Sequence, residues 1–425
     1  MTIVFLLFLF LLFMGMPVAF AIGISGVAFF LQHPEMPFTT IIQLPISQTQ
    51  NFTMLALPLF ILAGNLMNAA GITKRLILLA TLLTGHMRGG IGQVNVVLAT
   101  LLGGVSGSAT ADAALQARVL GPNMLKQNFP KGYTGCVIGF SSLITATIPP
   151  GVGLLLYGTI GEVSIGKLFA AGMIVGLLMM CVMMFTVRST AIKLNLPRAR
   201  ETRAPAREIL GSLRETSWAL AFPFLLLIGI RYGLFTPSEV GAFACLYAFL
   251  VGAFVYKEIT FANLVETLRD SIVDIGCIMF IIALSGIFGY GIPIDRVPQI
   301  ISGSITEWIT NPQMIILAIL FFILIAGMFM EGSVIILLTT PIFLPLVKSI
   351  GVDPVHFGLL MCTLTTLGIL TPPVGIAMYT VCSILGCSMK EFMKYSAPFF
   401  IAIIGLFAVL VYFPEVVLFL PNLIY

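Results

Sequence analysis

Gly103-Gly-Val-Ser-Gly-Ser-Ala-Thr-Ala-Asp112, followed by Ile148-Pro-Pro-Gly-Val-Gly153 with Tyr157 just beyond, decides the fold because the pattern occurs twice. Gly327-Met-Phe-Met-Glu-Gly-Ser333 is followed at nearly the same distance by Thr371-Pro-Pro-Val-Gly375, with Tyr379 just beyond. Each small-residue patch interrupts an apolar stretch near its middle, leaving flanks at 91–104 with 109–126 and at 312–329 with 334–350. These flanks are too short to cross a bilayer separately, since a spanning helix needs about 20 apolar residues. Each pair reads as a re-entrant hairpin with its tip at mid-membrane, and each Pro-Pro pair as a break in the helix that follows.

The rest of the chain agrees with a membrane setting. Of 425 residues, 59% are hydrophobic and only 9% charged, and the mean hydropathy is +1.10, too little polar surface to cover a soluble globule of this size. Apolar runs recur at Met1–Leu31, Ala219–Arg231, Val240–Val255, Ile272–Gly289 and Pro398–Leu420. The alternating segments of about 10 residues that mark a β-barrel are absent, so the expected class is an all-α polytopic membrane protein. The first run lacks a Lys/Arg-rich start and continues past the length of a signal peptide, and it reads as a retained first span. Cys136, Cys181, Cys245, Cys277, Cys362, Cys382 and Cys387 form no C-x-x-C pair, so they read as small buried apolar residues rather than metal or redox groups.

Lys and Arg concentrate in five loops: Lys74, Arg75 and Arg88; Lys126 and Lys131; Lys193 to Arg214; Lys257 and Arg269; Lys390 and Lys394. The net charge of +4 therefore reports orientation and not nucleic-acid binding, and the positive-inside rule makes these loops cytoplasmic. The N-terminus is then expected inside and the C-terminus outside. The first hairpin enters from the cytoplasm beside Arg88 and Lys126, and the second from outside, so the repeats are inverted. Residues 1–190 form the first repeat, with its hairpin at 91–126 and its broken helix at 133–160. A cytoplasmic connector at 191–216 and a linking span at 217–236 lead to the second repeat at 237–425, with its hairpin at 312–350 and its broken helix at 355–386. Amphipathic stretches at Ile72–Thr84 and Asp295–Thr310 are expected along the interface.

Inverted repeats with discontinuous helices at matching positions point to the midplane binding site of a secondary transporter. A Pro-Pro pair removes two amide donors and frees the carbonyls before it, which at that depth must face protein, water or an ion. Ser141, Ser142, Thr145 and Thr147 cluster before the first break, and Thr365, Thr366 and Thr371 before the second. Such hydroxyl and carbonyl oxygens suit Na⁺. Opposite each break a hairpin arm begins, at Ser106-Gly107-Ser108 or at Glu331-Gly332-Ser333. The free amides there suit an anionic substrate, although the same serines also serve as simple N-caps. Asp112 and Glu331 are ionisable at membrane depth and join the candidate substrate residues. Pairing of Asp112 with Arg118 is the structural alternative.

At these motifs the chain resembles the large membrane subunit of the TRAP (tripartite ATP-independent periplasmic) transporters. The likeness runs in order through Gly15-Met-Pro-Val-Ala19, Leu57-Pro-Leu-Phe-Ile-Leu-Ala-Gly64, Gly103 to Asp112, Ile148-Pro-Pro-Gly151, Thr236-Pro-Ser-Glu-Val240, Asp353-Pro-Val-His-Phe-Gly358 and Gly368-Ile-Leu-Thr-Pro-Pro-Val-Gly375. It implies a Na⁺-coupled importer of an organic acid in a bacterial inner membrane, working by an elevator motion. It also implies a periplasmic substrate-binding protein and a small four-helix membrane subunit as partners, with this chain as the unfused large subunit. The family's sodium sites carry over to Ser106, Ser108, Thr145, Thr147 and Pro149, and to Gly327, Gly368, Thr371 and Val374. Family members often carry an Asn a few residues before the second Pro-Pro, where this chain has Thr363, Thr365 and Thr366. Sialic acid is the favoured substrate, with C4-dicarboxylates or a stand-alone sodium/carboxylate symporter as alternatives. Glu239, Arg231 and the loop Gln32–Asn51 are docking candidates on the outer face.

Other classes fit less well. An ion channel would show a repeated filter signature. An embedded enzyme would need convergent His, Asp or Cys groups, whereas His33, His86 and His356 lie far apart at span ends, so no catalytic residue is expected. No G-x-x-x-x-G-K-[ST] loop supports ATP-driven transport.

Overall fold

The computed structural model describes residues 1–309 and 311–425, and it is built of helices with no strand among the described residues. The chain is an all-α polytopic membrane protein. Among the described residues, seven helices are long and apolar enough to cross a bilayer, and a bent pair makes up to eight.

The first apolar run is not one span. Gly15 adopts φ +83° and Pro17 cannot donate to a helix ladder, so the run folds back between α1 (Thr2–Phe13) and α2 (Val18–Gln32). Both free ends meet Asp295: the Met1 amine pairs with its Oδ2, and His33 Nε2 lies 3.4 Å from its Oδ1. The expectations of a single first span and of a cytoplasmic N-terminus are both corrected, since Met1 shares a face with His33. Next come α3 (Thr39–Thr49), a 3₁₀ turn at Phe52–Leu55 and α4 (Ala56–Ala69). The expected outer loop Gln32–Asn51 is thus largely helix.

After α5 (Ile72–Thr84), whose Leu76, Leu79 and Ala80 are buried, the first hairpin consists of α6 (Gly90–Gly103) and α7 (Ala109–Val119), extended by α8 (Gly121–Lys126). The helix α9 (Lys131–Thr147) then bends by 41° at Pro149-Pro150 into α10 (Val152–Ile160), and α11 (Ile165–Lys193) returns across the membrane. The connector is shorter than expected. Pro205 sits at the N-cap of α12 (Ala206–Arg231), so the linking helix begins before 217 with polar turns outside the apolar run.

The second half runs through α13 (Pro237–Leu250), a π turn at Val251–Val255, α14 (Phe261–Ile294) and α15 (Val297–Trp308). The expected amphipathic stretch ends at Thr310, which lies outside the described residues. Hairpin arms α16 (Pro312–Gly327) and α17 (Gly332–Ser349) follow, then α18 (Pro354–Gly368), the break at Pro372-Pro373, α19 (Ile376–Leu385), α20 (Met389–Tyr412) and α21 (Pro414–Ile424).

Contacts sort the loops onto two faces. Arg75 pairs with Glu258 at 3.4 Å, Gly85 O accepts from the Ala199 and Arg200 amides at 2.9 Å, and Lys131 Nζ donates to Gly386 O at 3.1 Å. Those ties join the basic loops on one side, the cytoplasmic side by the positive-inside rule. At the opposite end Gly166 packs against Tyr425 and Ile230, and Met1, His33 and Asp295 meet.

The halves interlock in the core. The arm α7 packs on α9 of its own half and on α19 of the other, while α17 packs on α18 and on α10. Tyr157 of α10 is fully buried, lays its ring over Gly358 and donates to Pro354 O at 2.8 Å.

Candidate functional site

Each hairpin tip docks on the Pro-Pro break of its own half through backbone atoms. Gly107 has φ +67°, and a methyl group there would stand 2.2 Å from Pro150 O, so only glycine fits. Its carbonyl accepts from Val152 N at 3.4 Å, just past the break. In the second half Met328 O accepts from Gly375 N at 3.2 Å, again just past the prolines. There Gly327 and Gly368 touch: a methyl group on Gly368 would stand 2.5 Å from Gly327 Cα. Both Pro-Pro bonds are cis.

Around the first tip, oxygen atoms converge. Ser108 caps α7, accepting from Ala111 N at 3.4 Å, and thereby fixes where the arm starts. Asp112, one turn along, is 1% exposed, and its carboxyl lies beside the hydroxyls of Ser106 and Thr145. Thr145 Oγ1 also reaches Ala99 O at 3.1 Å, which ties α9 to the first arm. The expected alternative of an Asp112–Arg118 pair is corrected: Arg118 is exposed, and no ion pair joins them among the described residues. Among the described residues, Asp112 Oδ2 and both amide atoms of Gln116 have no hydrogen-bond partner, and neither has Asn95 Oδ1. A buried polar atom without a partner costs about 1–3 kcal/mol, so Asp112 and Gln116, one turn apart on α7, are poised for water or an ion.

Thr147 does not join this group. Two residues on a helix are about 200° apart, and its hydroxyl turns away to Leu143 O at 2.8 Å and Met179 Sδ at 3.7 Å. Pro149 lies at the break, with its ring toward Gly172 of α11. Ser141 and Ser142 are spent on their own helix, donating to Val137 O and Gly139 O.

The second tip differs chemically. Glu331 is exposed and caps α17: Ser333 N donates to it at 3.0 Å, and Ser333 Oγ donates to its other oxygen at 3.0 Å. Glu331, Gly332 and Ser333 are therefore together, with the carboxylate already satisfied. Thr371 donates to Leu367 O at 3.0 Å, while Thr365 and Thr366 donate to Cys362 O and Thr363 O. Val374 is 44% exposed and offers no side-chain oxygen. Gln116 and Asn95 were missed at the sequence level. Gln116 stands four residues after Asp112, so the i, i+4 rule could have placed it on the same face.

The first tip also meets helices outside the hairpins. Val105 O faces Gly64 of α4, and Gly104 faces the Pro223 ring of α12.

Comparison with known proteins supplies the wider context. Residues 5–416 match the model of the "Tripartite ATP-independent periplasmic transporter, DctM component" family. The chain is 33% identical to the 2,3-diketo-L-gulonate TRAP transporter large permease protein of Escherichia coli, covering 95% of each chain. It is 33% identical to the sialic acid TRAP transporter large permease protein of Vibrio cholerae, covering 97% of this chain and 96% of that one. To the C4-dicarboxylate TRAP transporter large permease protein of Rhodobacter capsulatus the identity is 30%, over 99% of each.

Proposed function

The chain belongs to the DctM family of tripartite ATP-independent periplasmic transporters, a multi-pass permease of the bacterial inner membrane and not an enzyme, and from that premise we propose that it imports an organic acid driven by Na⁺. In this family the large permease works with a small membrane subunit and a periplasmic binding protein. Both are the partners proposed here.

The observation that carries the proposal is the buried oxygen cluster at the first tip, where Asp112, Ser106 and Thr145 meet beside the Gly107–Pro150 contact. Hard oxygen donors suit Na⁺. Ser106, Ser108, Thr145 and the Pro149-Pro150 backbone form the first proposed sodium site, and Gly327, Gly368, Thr371 and Val374 the second. The substrate carboxylate is assigned to the amides of Ser106, Gly107 and Ser108 and of Gly332 and Ser333, at helix starts where the dipole favours anions. Glu331 and Asp112 would repel a carboxylate when charged, which restricts them to contacts with hydroxyl groups of the substrate or to sodium.

Transport follows an elevator motion in this reading: both hairpins and both broken helices slide together past the remaining spans, α4, α12, α13 and α14 among them. The glycine contacts Gly64–Val105 and Gly104–Pro223 bring the tip against α4 and α12 with no side chain from either glycine between them, a surface without interlocking knobs for that slide. A sialic acid is the first substrate to test. The diketogulonate and C4-dicarboxylate relatives favour a second reading in which only the organic acid changes.

The test is uptake into proteoliposomes holding this chain and its small subunit, with and without binding protein, under an inward Na⁺ gradient. Labelled sialic acid, 2,3-diketogulonate and a C4-dicarboxylate are compared. Uptake of one acid that needs both Na⁺ and binding protein supports the proposal. Flux indifferent to Na⁺ refutes the coupling.

A further inference from the structure

Three thiols from two halves of the chain gather at the cytoplasmic end of the core. Cys136 lies on α9, Cys382 in the last turn of α19, and Cys387 in the corner before α20. Cys136 is already engaged, donating to Phe392 O at 3.1 Å. Cys382 and Cys387 are joined to each other through the backbone.

Their pairing follows from how α19 ends. Gly386 takes φ +62°, and Cys387 N returns to Cys382 O at 3.0 Å. In this C-cap motif the side chains three positions before and two after the last helical residue come into contact, normally as an apolar pair. Here both are cysteines, and their thiols are neighbours. The hydrogen bond from Cys387 N to Cys382 O closes the turn and brings these two positions, five apart in sequence, side by side, the arrangement a disulfide requires.

The two thiols differ in access and activation. Cys382 is 3% exposed, whereas Cys387 is half-buried at the corner. Cys387 immediately precedes Ser388, the N-cap of α20, so helix amides lie beside it. The neighbouring Cys382 thiol and the Lys131 ammonium hold its thiol below the ordinary range, against the opposing charge of Glu391. Lys131 is fixed there by its bond to Gly386 O.

We propose that Cys382 and Cys387 form a reversible redox pair that reacts with small disulfides from the cytoplasmic side. The Cys387 thiolate attacks one sulfur of oxidised glutathione, forming a mixed disulfide and releasing one glutathione thiolate, which takes up the proton Cys387 lost. Cys382 then attacks the Cys387 sulfur, expels the second glutathione and passes its proton to it. Two protein thiols are oxidised and one glutathione disulfide is reduced to two thiols. The new bond fixes the α19–α20 corner, which Lys131 and Cys136 already tie to α9. Among the described residues the other cysteines lack such a partner: Cys245 donates to Leu59 O at 3.0 Å, Cys362 is buried, and Cys181 and Cys277 sit on the exposed sides of α11 and α14.

The experiment treats the purified full chain in detergent with oxidised glutathione and maps thiols by alkylation and mass spectrometry. The expected result is loss of two of the seven free thiols, an intramolecular 382–387 disulfide, and full reversal by dithiothreitol. Cys382→Ser should stop at glutathione on Cys387, and Cys387→Ser should slow reaction at this corner by about tenfold or more. Because either serine variant could misfold, the unmodified chain is also tested in right-side-out and inverted vesicles with the impermeant reagent, where only inverted vesicles should react. A bond from Cys136, first reaction at Cys181 or Cys277, or equal reaction in both vesicle types would overturn the proposal.

Discussion

Gly64 of α4 lies so close to Val105 at the first hairpin tip that a methyl group on it would stand 2.8 Å from the Val105 carbonyl oxygen. Nothing flexible intervenes, because the facing atom belongs to the backbone. Gly64→Val should therefore trap or jam the tip against α4. Uptake should fall by at least about tenfold, with a destabilisation of roughly 1–3 kcal/mol from overpacking. Normal uptake with unchanged melting temperature would remove the elevator contact from consideration.

Thr145 and Thr147 offer an internal control. Thr145→Val keeps the shape but removes the hydroxyl that donates to Ala99 O and stands beside Asp112. Removing one oxygen from the proposed sodium site should raise the Na⁺ concentration for half-maximal uptake about tenfold, the equivalent of about 1.4 kcal/mol. Thr147→Val, whose hydroxyl faces Met179, should leave it nearly unchanged. Equal effects from both would argue against the sodium site as drawn.

The bolt between the halves can be weakened in steps. Tyr157→Phe removes only the bond to Pro354 O and should lower stability by about 1 kcal/mol. Gly358→Ala would place a methyl group 2.0 Å from the Tyr157 ring and should cost more, roughly 1–3 kcal/mol. Thermal unfolding of the detergent-purified chain gives the order, and the reverse order would mean the ring shifts freely.

Single cysteines at Thr2 and His33 distinguish a folded-back start from a through-going span. With Met1 and His33 both at Asp295, an impermeant maleimide should label both from the outer face. Labelling of Thr2→Cys only from the cytoplasm would restore the single span.

Much of the fold is legible in the residues, and the gaps have physical causes. Glycine and proline declare the breaks at 103–108, 149–150 and 372–373 because their backbone limits act locally. The turn at Gly15-Met-Pro17 uses the same chemistry but hides inside an apolar run whose total length suits one tilted helix. Hydropathy also places the start of the α12 region where apolarity begins, whereas the helix starts at Ala206, after Pro205. Tyr157 and Tyr379 occupy matching places in the motif, yet one is fully buried and the other 61% exposed. That difference depends on which neighbour the opposite half supplies, and no local pattern carries it. The same holds for Asp112, whose environment is set by Thr145 on a different helix.

The packing of α7 against α19 bears on how the protein is made. The ribosome delivers residue 119 long before residue 376, so the arm carrying Asp112 and Gln116 enters the membrane with one flank missing. Until the second half arrives, that flank must be covered by lipid, by water or by the insertion machinery. The first half therefore cannot complete its native packing until α19 has been made and inserted.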